Sequence, residues 1–86
     1  MDEEIMTGEV KYLSRSGRRA AVITDYGYTV FDIAHGELSV GDTVTGFLDD
    51  HGDQDLTNRT TGHKLSVYIE AIQATQQNAL DLLRYI

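Results

Sequence analysis

The chain of 86 residues has no cysteine, no proline and no tryptophan. Without cysteine there is no disulfide staple, no thiolate nucleophile and no sulfur ligand for a metal. Without proline, the eight glycines are the main punctuation between elements. Basic charge is scarce: 7 Lys and Arg stand against 14 Asp and Glu, for a net charge of -7 with histidine neutral. That balance opposes attraction of the whole molecule to a phosphate backbone. No apolar run approaches the roughly 18 to 20 residues that a bilayer-crossing helix needs. The opening MDEEIM lacks the basic region of a signal peptide. The expectation is a cytoplasmic chain with no membrane partner.

Catalytic and metal-binding patterns are also missing. There is no H-E-x-x-H, no nucleophile elbow and no phosphate loop. His35, His51 and His63 are scattered over turn regions and do not form a zinc set. Asp49, Asp53 and Asp55 offer oxygen at alternating positions. The glycine comes too early for a calcium loop of the EF-hand kind, however, and no glutamate closes it. Asp25 and Asp32 could meet across a hairpin as paired carboxylates, but turn capping and solvation account for them. Asn58-Arg59-Thr60 matches a glycosylation acceptor, which without a secretion signal is a chance match. The expectation is a protein that is not an enzyme and has no cofactor, no metal site and no catalytic residues.

Apolar residues make up 41% of the chain, enough for a core, and the length suits one domain, placed at 7–86. Five extended segments are predicted: Gly8 to Leu13, Arg18 to Thr24, Tyr28 to Ile33, Thr43 to Leu48 and Lys64 to Ile72. In the third, Thr29, Phe31 and Ile33 share one face, and Tyr28, Val30 and Asp32 the other. In the fifth, Leu65, Val67, Ile69 and Ala71 line one side with a period of two. The stretch from Asp49 to Gly62 reads as a polar loop anchored by Leu56. After it the period changes: Ala79, Leu82, Leu83 and Ile86 recur at helical spacing over 75–86, with Thr75 as N-cap.

Short strands with glycine turns predict a mostly β fold, a five-stranded OB-like small barrel over 7–72 followed by a C-terminal α-helix. An SH3-like barrel, or a flat sheet crossed by the helix, remains open. The predicted core is Val10, Val22, Phe31, Val44, Leu65, Val67 and Ile69.

Gly8-Glu9-Val10-Lys11-Tyr12 resembles the G-x-V-K-W opening strand of cold-shock domains. Leu38 to Val44, LSVGDTV, resembles the L-x-x-G-x-x-V run that enters the fourth strand of cold-shock and S1-type domains. The resemblance runs over about residues 7 to 72 and implies an OB fold that binds single-stranded nucleic acid. The chain departs from the pattern at the stacking motif K-G-F-G-F-I. There, Gly17 to Val22 put Arg19 and Ala21 at the phenylalanine positions, and Tyr12 takes the tryptophan position. The resemblance therefore supports the fold more than the binding of bases.

Two surfaces stand out. Lys11, Arg15, Arg18 and Arg19 cluster on the first hairpin beside Tyr12 and Tyr28, a candidate contact for nucleic acid or a partner. On the helix, Leu80, Leu83 and Ile86 form a candidate seam for a second copy or a partner. The first functional expectation is a non-enzymatic OB-like adaptor or protein-binding module able to form a homodimer. The alternative is a module for single-stranded DNA or RNA that uses the basic hairpin.

Overall fold

Alternation of apolar and polar residues builds six strands and one helix. The computed structural model describes residues 5–84. The strands are β1 (Met6–Leu13), β2 (Arg19–Thr24), β3 (Gly27–His35), β4 (Thr43–Gly46), β5 (Gly52–Asn58) and β6 (Lys64–Ala74), and the helix is α1 (Gln76–Leu83). They form a closed barrel in the order β1-β2-β3-β6-β5-β4, with every neighbouring pair antiparallel. The protein is thus mostly β, a small closed barrel with a C-terminal helix, compatible with an OB-like fold.

The strand count corrects the expectation of five. The polar stretch after Asp49 contains β5, which lies between β4 and β6. Its less exposed positions are Gly52, Gln54, Leu56 and Asn58, and Asp53 and Asp55 alternate with them on the outside. Only one of those four is a large apolar residue, so the period of two carries almost no hydrophobic signal. The sixth strand also decides how the barrel closes. Five strands cannot close with every neighbour antiparallel, because directions must alternate around the ring; six can.

The predicted core residues meet inside the barrel. Val10, Val22, Phe31, Val44, Leu65, Val67 and Ile69 form one buried cluster with Met6, Ala20, Ile33, Leu38, Leu48 and Leu56. Thr29 is the polar neighbour on this side, and its hydroxyl donates to the Leu48 carbonyl at 2.9 Å. Asn58 is fully buried, and both its amide nitrogen and its amide oxygen are hydrogen-bonded. Its Nδ2 donates to Asp42 at 2.8 Å, and its Oδ1 accepts from the Thr60 amide at 2.9 Å. A buried amide satisfied in this way ties the β3–β4 connection to the β5–β6 turn, and it withholds from any modifying enzyme the acceptor nitrogen of the Asn58-Arg59-Thr60 triplet.

Two of the register shifts in the barrel move side chains from one face to the other. The β1–β2 register slips between Val10 and Tyr12, so Tyr12 turns to the outer face and Leu13 packs toward the core. In β6, Ile69 opposes Phe31 but Ala71 opposes Val30, leaving Glu70 as the extra residue. Ala71 therefore lies outside and Ile72 packs toward the core, which corrects the expectation that Ala71 continues the inner row.

The helix begins as its sequence predicts. Thr75 is extended, and its hydroxyl accepts from the Asn78 amide at 3.1 Å. α1 lies across the outer faces of β2 and β3. Ala79 and Leu83 are buried there against Ala21 and Val30, with Tyr12, Tyr28, Ala71 and Leu82 around them. No helix among the described residues is long and apolar enough to cross a membrane.

Candidate functional site

The outer face of β1, β2 and β3 collects the polar and aromatic groups of the first hairpin. The bulge in β1 brings the Tyr12 ring beside Tyr28, with centroids 6.1 Å apart and planes inclined by 29°. This is an offset stack of the kind aromatic pairs favour. The Tyr12 hydroxyl accepts from Gln76 Nε2 at 2.7 Å, which joins the stack to the first turn of α1.

At the other end of the helix, Arg19 is a junction. It faces Asp32 across the β2–β3 ladder and donates to both carboxylate oxygens, the Nη2 bond being 3.1 Å. Its Nη1 donates to the Leu82 carbonyl at 2.9 Å, and Glu70 lies 3.9 Å from Nη2. The last carbonyls of a helix have no partner inside it, and a guanidinium placed there satisfies one and complements the negative end of the dipole. The Arg19 side chain is only 16% exposed.

These neighbours set the ionisation. Two hydrogen bonds from Arg19 hold the Asp32 carboxyl below its usual range, and Asp32 in turn raises the Arg19 pKa. Glu70 is pushed up, first by sharing a hydrogen bond with Asp32, then by burial and by repulsion from the same group. Burial, and then Tyr12, raise Tyr28. The signs separate the two acids. Asp32 stabilises the fold above the ordinary carboxylate range, and that contribution is lost as pH falls through its depressed value. The contribution of Glu70 is full below the ordinary glutamate range and is lost as pH rises through its raised value. Glu70→Gln should therefore stabilise the fold at pH 7 by less than about 1 kcal/mol at this exposed position, seen as a slightly higher melting temperature. The advantage should vanish near pH 3, where the parent side chain is also neutral. Melts across that range check it; a variant less stable than the parent at pH 7 would show that attraction to Arg19 outweighs repulsion from Asp32.

The predicted contact residues separate into two groups. Tyr12 and Tyr28 stack beside the start of α1 and Arg19 lies by its end, on the same outer face, and each is engaged within the chain. Lys11 is exposed, with its Nζ 3.5 Å from Glu9. Arg15 and Arg18 are exposed in the β1–β2 turn and make no ion pair among the described residues. On the helix, Leu80 is half-buried, whereas Leu83 is buried against the barrel and not turned toward a partner. The cause is the position of Ala79: packing this small residue on Ala21 and Val30 turns the residue one helical turn later to the same face. Ile86 lies outside the described residues.

Sequence reasoning missed the pairing of Asp32 with Glu70. Asp25 sits in the turn at the far end of the β2–β3 hairpin from Asp32, so those two do not meet. Glu70 reaches the site because β6 bulges there, and single-sequence periodicity does not announce a bulge. Tyr68 also lies outside the predicted contact set. It is 48% exposed on the outer face of β6, opposite Asp32 on one side and Asp53 on the other. Asp53 and Asp55 stand on a strand and do not form a chelating loop; Asp55 accepts from the Ser66 hydroxyl at 3.4 Å and Asp49 from Gln73 at 3.2 Å. Among the described residues, no three histidine, aspartate or glutamate side chains converge on a point that would hold a metal ion. Comparison of the chain with protein-family models, with curated proteins and with solved structures returns no match.

Proposed function

We propose that the chain is a non-enzymatic protein-binding module whose outer β6–β5 face receives a basic surface of its partner. The observation that carries this reading is the internal use of the hairpin's cationic and aromatic groups. Arg19 is spent on Asp32 and Leu82, and the Tyr12–Tyr28 stack is joined to the helix by Gln76. What faces solvent on β5 and β6 is an exposed tyrosine among Asp53, Asp55 and Glu70, on a molecule of net charge -7. Lysine and arginine side chains complement such a face, both by charge and by approach to the tyrosine ring.

Fluorescence anisotropy with a labelled lysine- and arginine-rich peptide tests the reading. Tyr68→Ala, which changes no charge, should weaken binding about tenfold, an effect suited to an exposed aromatic contact combined with lost packing. Equal affinity of parent and variant would reduce the binding to unspecific attraction between opposite charges and remove this face as a site.

The nucleic-acid reading keeps one supporting observation, Arg15 and Arg18 exposed at the hairpin tip with no ion pair among the described residues. It calls for titration with labelled single-stranded DNA and RNA at low and moderate salt, repeated on Arg15→Glu with Arg18→Glu. Binding that is salt-dependent and lost in the double variant would favour it. A homodimer has less support, because Leu83 is already buried within its own chain and like charges repel two copies.

A further inference from the structure

The sheet divides the apolar residues into two clusters with no shared member. One fills the barrel and contains Val22, Phe31 and Val67. The other lies outside it, where Ala79 and Leu83 of α1 meet Ala21 and Val30. All the buried residues of the helix belong to the outer cluster. The helix can therefore leave without removing any side chain from the barrel interior. Among the described residues its apolar hold is small: Ala79 and Leu83 are buried, and Leu82 packs partly against them. Its polar attachment sits at the two ends: Gln76 on the Tyr12 hydroxyl and the Leu82 carbonyl on Arg19. A helix of 8 residues does not persist alone in water, so release of α1 also melts it.

We propose that α1 is a releasable lid over the outer face of β2 and β3, latched at its C-terminal end by Arg19, and that it opens as a unit while the barrel stays folded. This conformational device goes beyond the binding reading and does not depend on it. The latch is preorganised by groups from β3 and β6. Asp32 of β3 fixes the plane of the guanidinium through two bonds, and Glu70 of β6 flanks it. From α1 comes only the neutral carbonyl, since Asp81 and Arg84 pair with each other at 3.3 Å. The aimed Nη1 then meets Leu82 at little further entropic cost. Opening uncovers Tyr12, Tyr28, Ala21 and Val30, an aromatic and apolar face that the closed form withholds.

Amide hydrogen exchange of the full chain, read by NMR at one pH, tests the proposal. In the parent, the amides of residues 80–83 should exchange well ahead of those of Val22 and Phe31. Arg19→Gln should speed the helix amides by about tenfold or more, the scale of losing a charged hydrogen bond, and leave the core amides within a factor of about two. Arg19→Lys keeps the charge without the fork and should fall between. If helix and core amides of the parent exchange together, the lid does not open on its own and the proposal fails; this comparison needs no variant to fold. If helix amides exchange early but are unmoved by Arg19→Lys or Arg19→Gln, the latch is elsewhere. If either variant speeds helix and core equally, Arg19 supports the barrel and not the lid. Either of these last two results also overturns the proposal.

Discussion

Val67→Asp will leave the chain without a cooperative thermal transition. Val67 is 2% exposed at the centre of β6, where it faces Ile33 across the β3–β6 ladder. It belongs to the hydrophobic cluster that fills the barrel, and the hydroxyl of the polar neighbour Thr29 already donates to the Leu48 carbonyl, so an aspartate there would have to take a donor already in use. Burying an unpartnered carboxyl costs several kcal/mol whether it stays ionised or takes up a proton to avoid the charge. A domain of this size has a total stability on the order of 5 kcal/mol, at the low end for folded proteins. One such substitution is therefore comparable to the whole margin. The neighbouring residue gives the control. Tyr68 points to the other face, and Tyr68→Thr keeps a residue suited to a strand, so its melting temperature should stay within a few degrees of the parent. Circular dichroism melts of the two variants check both statements. A Val67→Asp protein that melts cooperatively near the parent temperature would mean that β6 is paired one residue out of register, with Tyr68 and Glu70 inside.

Gly8→Val is expected to be nearly as damaging. Gly8 is buried in β1, where it faces Val44 across the β1–β4 ladder. A β-carbon at this position would collide with Val22 Cγ1 and lie 2.8 Å from the carbonyl oxygen of Ile23. The valine methyl could shift, but the backbone oxygen belongs to the β1–β2 ladder that pairs Glu9 with Ile23. Relief requires opening that ladder in a closed barrel, where β1 is also tied to β4. Overpacking of this kind costs about 1 to 3 kcal/mol, and more when backbone must move. Urea unfolding should show a lower midpoint with a similar slope, because the same surface is exposed on unfolding. An unchanged midpoint would mean that β1 and β2 separate easily here. The first glycine of the G-x-V-K stretch thus has a packing reason of its own, and none of this requires that nucleic acid bind there.

The period of two in Thr29-Val30-Phe31-Asp32-Ile33 and in Leu65 to Ile69 is a local property, since adjacent side chains of a strand must point to opposite faces. The inner row of the barrel and the Thr75 cap could therefore be read directly from residue types, whereas the side of the helix that meets the barrel could not: Leu83 reads as part of a partner seam and is buried with Ala79 against Ala21 and Val30. The sequence also determined that no cysteine chemistry operates and that acid outweighs base two to one. Tertiary structure alone decided the rest, because it depends on which strand lies beside which. β5 is stabilised by its ladders to β4 and β6 and not by an apolar stripe of its own. The bulge at Glu70 exists because β6 must follow β3 around the curve of the barrel, and it carries that carboxylate to Arg19. Arg19 is one of four nearby cations in the chain order, yet it alone sits opposite Asp32 and below the last turn of α1. A charge has no partner until the fold brings one within a few ångströms, so composition could show a basic hairpin but not that the last of its arginines was already taken.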